Sequence, residues 1–534
     1  MYGVKMITFT DVTIEGDASN MFEGFGATTI NASGLNVTGV TSMSKMFSGC
    51  SALDSLGGLG GLSNWNTSSV KNMSSMFQNC TKLTSTSLDV LSNWNTKIGS
   101  VTDMSNMFSG CTSISSVGGL SNWKTGTVTD MSDMFRRCTS LASVDLSGWD
   151  TKKVTYTVDM FNGCSALTTI AVCDWNTGVQ HSSGMFTGCT RLEGGKGTIY
   201  SDDNPTDKTY ARVDGGSDDP GYFTGKPAFR GCFLVLSGKI GVTFTLEVPQ
   251  DFDASGASVE LSVGGRDAGT VNLSGLTPGA DGRYSVPCGV TSLEMADEVV
   301  ATLHWDGEAK AGTATASCSV ERYADYVVGH DSDYGTEMVR LAKAINNYGY
   351  FAQRWLAVEN GFVLGAGGKF AEIKQAYPPS YTYDDVKGRV DNEYAIQKHF
   401  GDTGVTASYR LHLDSATGIS VLVRPGSGAL AEPSGTLQPS PGSGDVAKQA
   451  DVTQQSDGSW VLRLDGIPAH RLADKLMVTG AAGSEQFSVE VCPLSYVWTV
   501  FNKPSGTVPE RDAMAAFLEY YEASIAYKNG GATA

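Results

Sequence analysis

The side chains able to do chemistry are scattered through this sequence. Six histidines stand at His181, His304, His330, His399, His412 and His470, and no two have the spacing of H-E-x-x-H or of another metal pair. His412 alternates with Leu411 and Leu413, which places it on the solvent face of a strand. No G-x-S-x-G elbow, phosphate loop or dinucleotide fingerprint occurs. Gly365, Gly367 and Gly368 precede Lys369, but Phe370 stands where a phosphate loop needs Ser or Thr, so a plain loop is the better reading. His330-Asp331-Ser332-Asp333 has the residue types of a hydrolase fragment, yet it reads more simply as the lead into a helix near Thr336. A glycosidase needs two carboxylates, and with 56 acidic residues in the chain counting decides nothing. The stretch Ser201 to Gly221 gathers Asp202, Asp203, Asp207, Asp214, Asp218 and Asp219. Carboxylates are hard oxygen ligands, so a structural calcium near Asp202, Asp203, Asp218 and Asp219 is the metal chemistry open to them. The spacing matches no EF-hand loop, and a solvated capping loop is the favoured reading. Neither catalytic residues nor a cofactor are expected.

Charge narrows the partners. The 534 residues carry 38 basic and 56 acidic side chains, a formal charge of 38 − 56 = −18. Such a chain repels nucleic acid phosphates and anionic lipid. No window of ~20 apolar residues exists to span a bilayer. No basic flank with an apolar run opens the chain, and its start falls inside a repeat. It therefore reads as a fragment of an exported protein whose signal and anchor lie elsewhere, and as a monomer.

Repetition organises the first 225 residues. Met-Phe recurs at Met21, Met46, Met76, Met107, Met134, Met160 and Met185, at spacings of 25, 30, 31, 27, 26 and 25. The unit from Leu62 to Leu83 reads L-S-N-W-N-T-S-S-V-K-N-M-S-S-M-F-Q-N-C-T-K-L, and its frame returns around Trp94, Trp123, Trp149 and Trp175. Insertions such as Gly57-Gly58-Leu59-Gly60-Gly61 lengthen some units and should be loops. Val70, Met73, Met76, Phe77, Cys80 and Leu83 lie three or four apart, which predicts one face of a short helix or 3₁₀ turn. Leu141, Val144 and Leu146 lead into Trp149 in the manner of a leucine-rich strand. Single units cannot bury their apolar faces, so the expectation is a solenoid of about seven rungs, each a strand plus a helical turn. Six of the 11 cysteines (Cys50, Cys80, Cys111, Cys138, Cys164 and Cys189) share one repeat position, which argues for packing and not for disulfides.

The unit W-N-T-x-x-V-x-x-M-x-x-M-F-x-x-C-x-x-L resembles the BspA-like, leucine-rich-repeat-type repeat of bacterial surface proteins, over roughly residues 15–225. It departs from the pattern at its ends: Phe25 replaces the cysteine, Leu35 the tryptophan, and Thr157 and Ser182 the first methionine. The resemblance implies display outside the cell and binding to a host or microbial partner.

From Phe229 the pattern changes to alternating strands. Gly241 pairs with Gly418 at an offset of 177, Ala296-Asp297 with Ala473-Asp474 at 177, Cys318 with Cys492 at 174, and Leu341 with Met514 at 173. A slowly drifting offset points to two copies of one module, each closed by an amphipathic helix. Similar tandem modules occur in large surface proteins of gut bacteria, a looser resemblance that names no activity. The fold expected is therefore α/β and β-rich. A leucine-rich-repeat-like solenoid with a cap (1–227) precedes a β-sandwich-plus-helix module (228–356), a partly helical linker (357–402) and a second module (403–534). Tyr383 to Phe400 should be helical, and Arg424 to Gly444 a flexible insert.

The functional expectation is non-enzymatic adhesion, with the solenoid binding an extracellular protein or glycan and the modules acting as a stalk. The alternative is a glycan-binding or glycan-active sandwich module. By strand alternation Ser143, Asp145 and Ser147 should point outward, with Thr169 and Ala171 beside them one rung on. These five are the candidate partner-binding residues.

Overall fold

The computed structural model describes residues 6–530 apart from 27, 55–61, 63–64, 95–99, 122, 236–239, 250–251, 307–311, 362, 366–367, 369, 375, 378–385, 387–393, 414–416, 427–429, 440–444 and 503–506. The Gly57 to Gly61 insertion, Gly367 and Lys369 therefore lie outside the described residues.

The chain is mainly β, and its strands lie in seven separate sheets among the described residues. This corrects the expected α/β, leucine-rich-repeat-like solenoid. In the first 225 residues β1 (Met6–Thr8) pairs with β3 (Thr29–Asn31), and β2 (Val12–Asp17) with β4 (Leu35–Ser42). A third small sheet joins β5 (Ser143–Asp145), β6 (Thr169–Val172) and β7 (Phe223–Gly225). These three sheets do not merge into one, and the Met-Phe segments are turns, not helices. The one α-helix described there is the single turn α1 (Ser85–Leu88).

The backbone shows why. A helix needs consecutive right-handed residues, and each repeat carries two left-handed ones four apart. Among them are Lys45 and Gly49 (φ 55° and 71°), Ser75 and Asn79 (56° and 59°), Asn106 and Gly110 (59° and 75°), and Asp133 and Arg137 (57° and 58°). The chain then alternates between two uses of its N–H groups. Met43, Lys45, Phe47 and Gly49 donate to the carbonyls of Asn72, Ser74, Met76 and Gln78 in the next turn, at 2.7–2.9 Å. Met46, Ser48 and Cys50 donate three residues back within their own turn. Repeat thus binds repeat through backbone, and equivalent side chains fall into line.

That alignment builds the core. Phe22, Phe47, Phe77, Phe108, Phe135, Phe161 and Phe186 stack face to face with centroids 5.3–6.2 Å apart. Trp65, Trp94 and Trp123 stack at 6.3 and 6.4 Å. The indoles of Trp94, Trp123 and Trp149 donate to the carbonyls of Leu62, Leu91 and Leu120 at 2.6, 3.0 and 2.8 Å. Each repeat thiol donates to a phenylalanine carbonyl one turn back, from Cys50 to Phe22 through Cys189 to Phe161, at 3.0–3.2 Å. Burial raises these thiol pKa values, to about 11 at Cys50 and about 12 at Cys164, so they stay protonated and inert. Tyr222 and Phe223 close the far end edge-on against Phe186.

The second half holds two comparable sets of strands. The first comprises β8 (Ala228–Val235), β9 (Gly241–Glu247), β10 (Ser258–Val263), β11 (Arg266–Asn272), β12 (Tyr284–Gly289), β13 (Val299–Trp305) and β14 (Gly312–Cys318). It forms sheets ordered β11-β10-β13-β14 and β12-β9-β8. The second comprises β15 (Gln397–His399), β16 (Thr406–His412), β17 (Gly418–Arg424), β18 (Ser434–Gln438), β19 (Lys448–Gln449), β20 (Asp451–Gln454), β21 (Trp460–Asp465), β22 (Lys475–Ala482) and β23 (Glu485–Val491). Its sheets are β15-β23-β22-β18-β19 and β16-β17-β21-β20. Two expectations are corrected here. Tyr383 to Phe400 is strand β15 over Gln397–His399, while residues 383–385 and 387–393 of it lie outside the described residues, and the insert Arg424 to Gly444 contains strand β18, held by β22.

After the last strand of each set comes a short helix and then a long one, not a single closing helix. These are α2 (Val320–Gly329) and α3 (Thr336–Asn360), then α4 (Pro493–Asn502) and α5 (Val508–Gly530). The long helices meet: Tyr348 of α3 stacks on Tyr520 of α5 at 5.3 Å and lies 5.5 Å from Phe517. Leu341, Ile345, Met514 and Phe517 are fully buried with them, so both sets share one hydrophobic core. Cys232 and Cys318 form a disulfide that ties β8 to β14 across the two sheets of the first set, a bond the sequence reading did not foresee.

Three measurements test this architecture. Phe77 is fully buried between two rings, so Phe77→Ala should lose ~3–5 kcal/mol in urea unfolding. A loss near zero would mean the ring ladder carries no stability. At Gly110 a Cβ would lie 2.3 Å from Asn79 Oδ1 in a left-handed backbone, so Gly110→Ala should cost about 1–2 kcal/mol. Neutrality there would contradict the turn geometry. Unfolded without reductant, the chain should titrate nine thiols (Cys50, Cys80, Cys111, Cys138, Cys164, Cys173, Cys189, Cys288 and Cys492), and two more after reduction. Seven or fewer before reduction would overturn this pairing.

Candidate functional site

The five residues singled out from the repeat pattern lie on the small sheet β5-β6-β7. Ser143 pairs with Thr169, Val144 with Ile170 and Asp145 with Ala171, all parallel. Val144, Leu146, Ile170 and Val172 are buried, as alternation requires, and Leu141, three residues before Val144, is buried too. The outward set is less open than expected. Ser143 is exposed, Thr169 and Ala171 are half-buried, and Ser147 is buried. The reason is local: Asp145 Oδ1 accepts from both the Ser147 N–H at 3.0 Å and its hydroxyl at 2.6 Å, which turns the chain and tucks the serine in. The other Asp145 oxygen pairs with Lys226, which follows β7. The carboxylate is therefore engaged within the fold.

A second row of equivalent positions runs along the stack and was missed in the sequence. Single parallel bridges connect Ser42 to Asn72, Asp103, Asp130, Tyr156 and His181 in succession. Asn72, Asp103 and Asp130 each accept the N–H two residues on, at 2.8, 2.9 and 2.8 Å, which holds their side chains in place. Beside them Thr102, Thr129 and Thr155 donate their hydroxyls to the carbonyls of the neighbouring turn at 3.1–3.2 Å. The row ends on aromatics. Tyr156 is 42% exposed and stacks on His181 with centroids 4.4 Å apart and planes 9° from parallel. The signal was present: Asp130, Tyr156 and His181 each precede the first Met position of their repeat.

Where the stack meets the first strand set, a cavity of about 280 Å³ is lined by Lys124, Trp149, Asp150, Arg230, Glu247 and Arg283, among others. Arg230 pairs with Glu247 and donates to the Trp149 carbonyl at 3.1 Å, and Arg283 approaches Glu247 at 3.5 Å. Lys124 Nζ donates to the Arg230 carbonyl at 3.0 Å, and burial, then the nearby guanidinium, lowers its pKa. The bonds of Arg230 and Lys124 cross from the first set to the stack, so the cluster works as a joint.

The remaining chemical side chains do not converge. His304 faces Glu260 at 3.2 Å, His412 lies 2.9 Å from Ser420 on its own sheet, and His470 lies 3.4 Å from Asp445. His330 stacks on Tyr326 at the end of α2, and the segment after it leads into α3. In the acidic stretch, Asp202 accepts from the Tyr200 hydroxyl at 2.9 Å and Asp219 pairs with Arg212. Asp214 is buried and accepts the N–H groups of Lys196, Thr198 and Gly216 and the Thr198 hydroxyl. Burial raises its pKa, but these bonds outweigh that and lower it. Among the described residues no three His, Cys, Asp or Glu side chains gather into a group that could hold a metal ion. Among the described residues no helix is long and apolar enough to cross a membrane.

Comparison with known proteins adds one family and little else. No curated protein matches the chain. Among solved structures, the outer membrane decaheme cytochrome OmcA aligns at 10% identity over 48% of this chain and 66% of that one, just under two thirds. Its TM-score of 0.14 carries no argument about fold or function. Residues 16–116 and 83–196, the stacked turns with the Tyr156–His181 pair, are similar to a family described as "Mycoplasma protein of unknown function, DUF285", of the kind carried by BspA-like surface proteins, while no leucine-rich-repeat family matches.

Proposed function

We propose that this chain is a non-enzymatic bacterial cell-surface or secreted protein that binds an extracellular protein or glycan through the outer row of its stacked turns. The observation that carries the reading is the Tyr156–His181 stack, two parallel rings standing in solvent at the end of a row of fixed Asp, Asn, Ser and Thr side chains. A flat aromatic face beside fixed carboxylates and hydroxyls suits a sugar ring or a partner's apolar side chain. Backbone bonds between turns hold the row rigid, which lowers the ordering cost of binding. The DUF285 match spans these residues, and BspA-like proteins carry such domains. The Cys232–Cys318 disulfide fits an exported chain, since such bonds persist in oxidising compartments.

The test is binding to a glycan array and to host-cell and mucus extracts. Wild type is compared with a Tyr156→Ala, His181→Ala double variant and with Ser143→Arg on the neighbouring sheet. The double variant should lose about tenfold or more in affinity, about 1.4 kcal/mol, with its urea midpoint unchanged. Ser143→Arg should bind as wild type does. Full retention by the double variant, or binding by residues 228–534 alone, would remove the site from the stacked turns.

A further inference from the structure

An edge strand exposes a row of unpaired N–H and C=O groups, and proteins guard such edges with charges, prolines, bulges or a covering segment. The two strand sets of this chain differ at one such edge. In the second set the outer edge of β23 is covered by β15, with Gln397 opposite Glu490, Lys398 opposite Val489 and His399 opposite Ser488. β13 and β22 correspond at an offset of 177, and their partners Cys318 (opposite Val299) and Val491 (opposite Leu476) give 491 − 318 = 173, so residues 488–490 correspond to 315–317. The sheet orders β11-β10-β13-β14 and β19-β18-β22-β23-β15 agree but for that last strand. In the first set the segment preceding β8 is β7, and it pairs with β6 in the turn stack instead. Among the described residues β14 has β13 as its one strand neighbour.

The edge is also unguarded. β14 reads Gly-Thr-Ala-Thr-Ala-Ser-Cys, without charge or proline, whereas the facing edge strand β8 carries Arg230 and a register shift between Phe229 and Gly231. A groove of about 1190 Å³ runs along β14, walled by β8 on one side and by Tyr323, Tyr326 and Tyr334 on the other. Asp145 and Ser147 lie on its rim. Thr313, Thr315 and Ser317 are exposed, while Ala314 and Ala316 are half-buried and small.

We propose that the outer edge of β14 is an acceptor for an extended strand of a partner polypeptide, which adds antiparallel along residues 313–317 as β15 does on β23. Main-chain hydrogen bonds hold the guest strand, and alternate side chains select it. The partner segment carries apolar side chains at every second position, lying over Ala314 and Ala316 against the tyrosine wall, and polar ones between. This site is separate from the Tyr156–His181 surface, so either can fail alone.

The probe is a synthetic peptide of residues 394–402 carrying Lys398→Val, taken from the strand that covers the corresponding edge, so that Ile396, position 398 and Phe400 present apolar side chains on one face. Added at about 1 mM to the full chain, a concentration that reads weak peptide binding, it should slow amide hydrogen exchange at 313–317 by about tenfold. The same peptide N-methylated at alternate residues should give no protection. Unchanged exchange at 313–317, equal protection by the N-methylated peptide, or protection confined to other segments would each overturn the proposal. So would concentration-dependent protection of 313–317 in the chain alone, which would assign the edge to a second copy.

Discussion

Every feature of the first 225 residues depends on how each turn disposes of its backbone N–H groups. Alternate donors reach the next turn and the others close their own, and this alternation is possible because left-handed residues recur four apart. A continuous helix would have consumed all of these groups internally and left nothing to hold the turns in register. Because the bonds run from turn to turn, equivalent positions align without adjustment. The phenylalanine, tryptophan and cysteine lines are results of that alignment, and so are the fixed side chains of the row ending at Tyr156 and His181.

The second half solves a different problem. The two strand sets bury their apolar faces in one shared core. The long helices α3 and α5 join them by packing on each other, with Tyr348, Phe517 and Tyr520 at their contact. The first set is further tied by its disulfide, and in the second Tyr409 stands near Cys492 where the first has Cys232 beside Cys318. The turn stack is fastened to the first set by bonds from Arg230 to the Trp149 carbonyl and from Lys124 to the Arg230 carbonyl, with Glu247 holding Arg230 from within the set.

Burial was legible in the sequence wherever period alone decides it. Met76, Phe77, Cys80 and Trp65 are buried together, and α3 lies where Leu341, Ile345, Tyr348, Ala352 and Trp355 recur at helical spacing. Conformation was less legible, because steps of three and four serve a stacked turn as well as a helix. Gly49, Asn79, Gly110, Gly163 and Gly188, at one position in five of the seven repeats, were the unread signal of a left-handed backbone that ends any helix at each of them. Ser147 was misplaced because alternation does not include the side-chain bond from Asp145 that bends the strand end inward. The Cys232–Cys318 pair was out of reach because 86 residues separate its members and only the two-sheet arrangement brings them together.

That disulfide also sets how the chain would carry a load. A pull transmitted along the backbone passes from Cys232 to Cys318 through the sulfur bridge and bypasses residues 233–317. Strands β9 to β13 lie inside this covalent loop and bear no tension, whereas the two-residue register of β19 on β18 in the second set has no such shunt. At ~3.3–3.6 Å per extended residue, the bypassed loop withholds roughly 280–300 Å of slack. Under force the oxidised chain cannot extend between Cys232 and Cys318, and reduction would release that length.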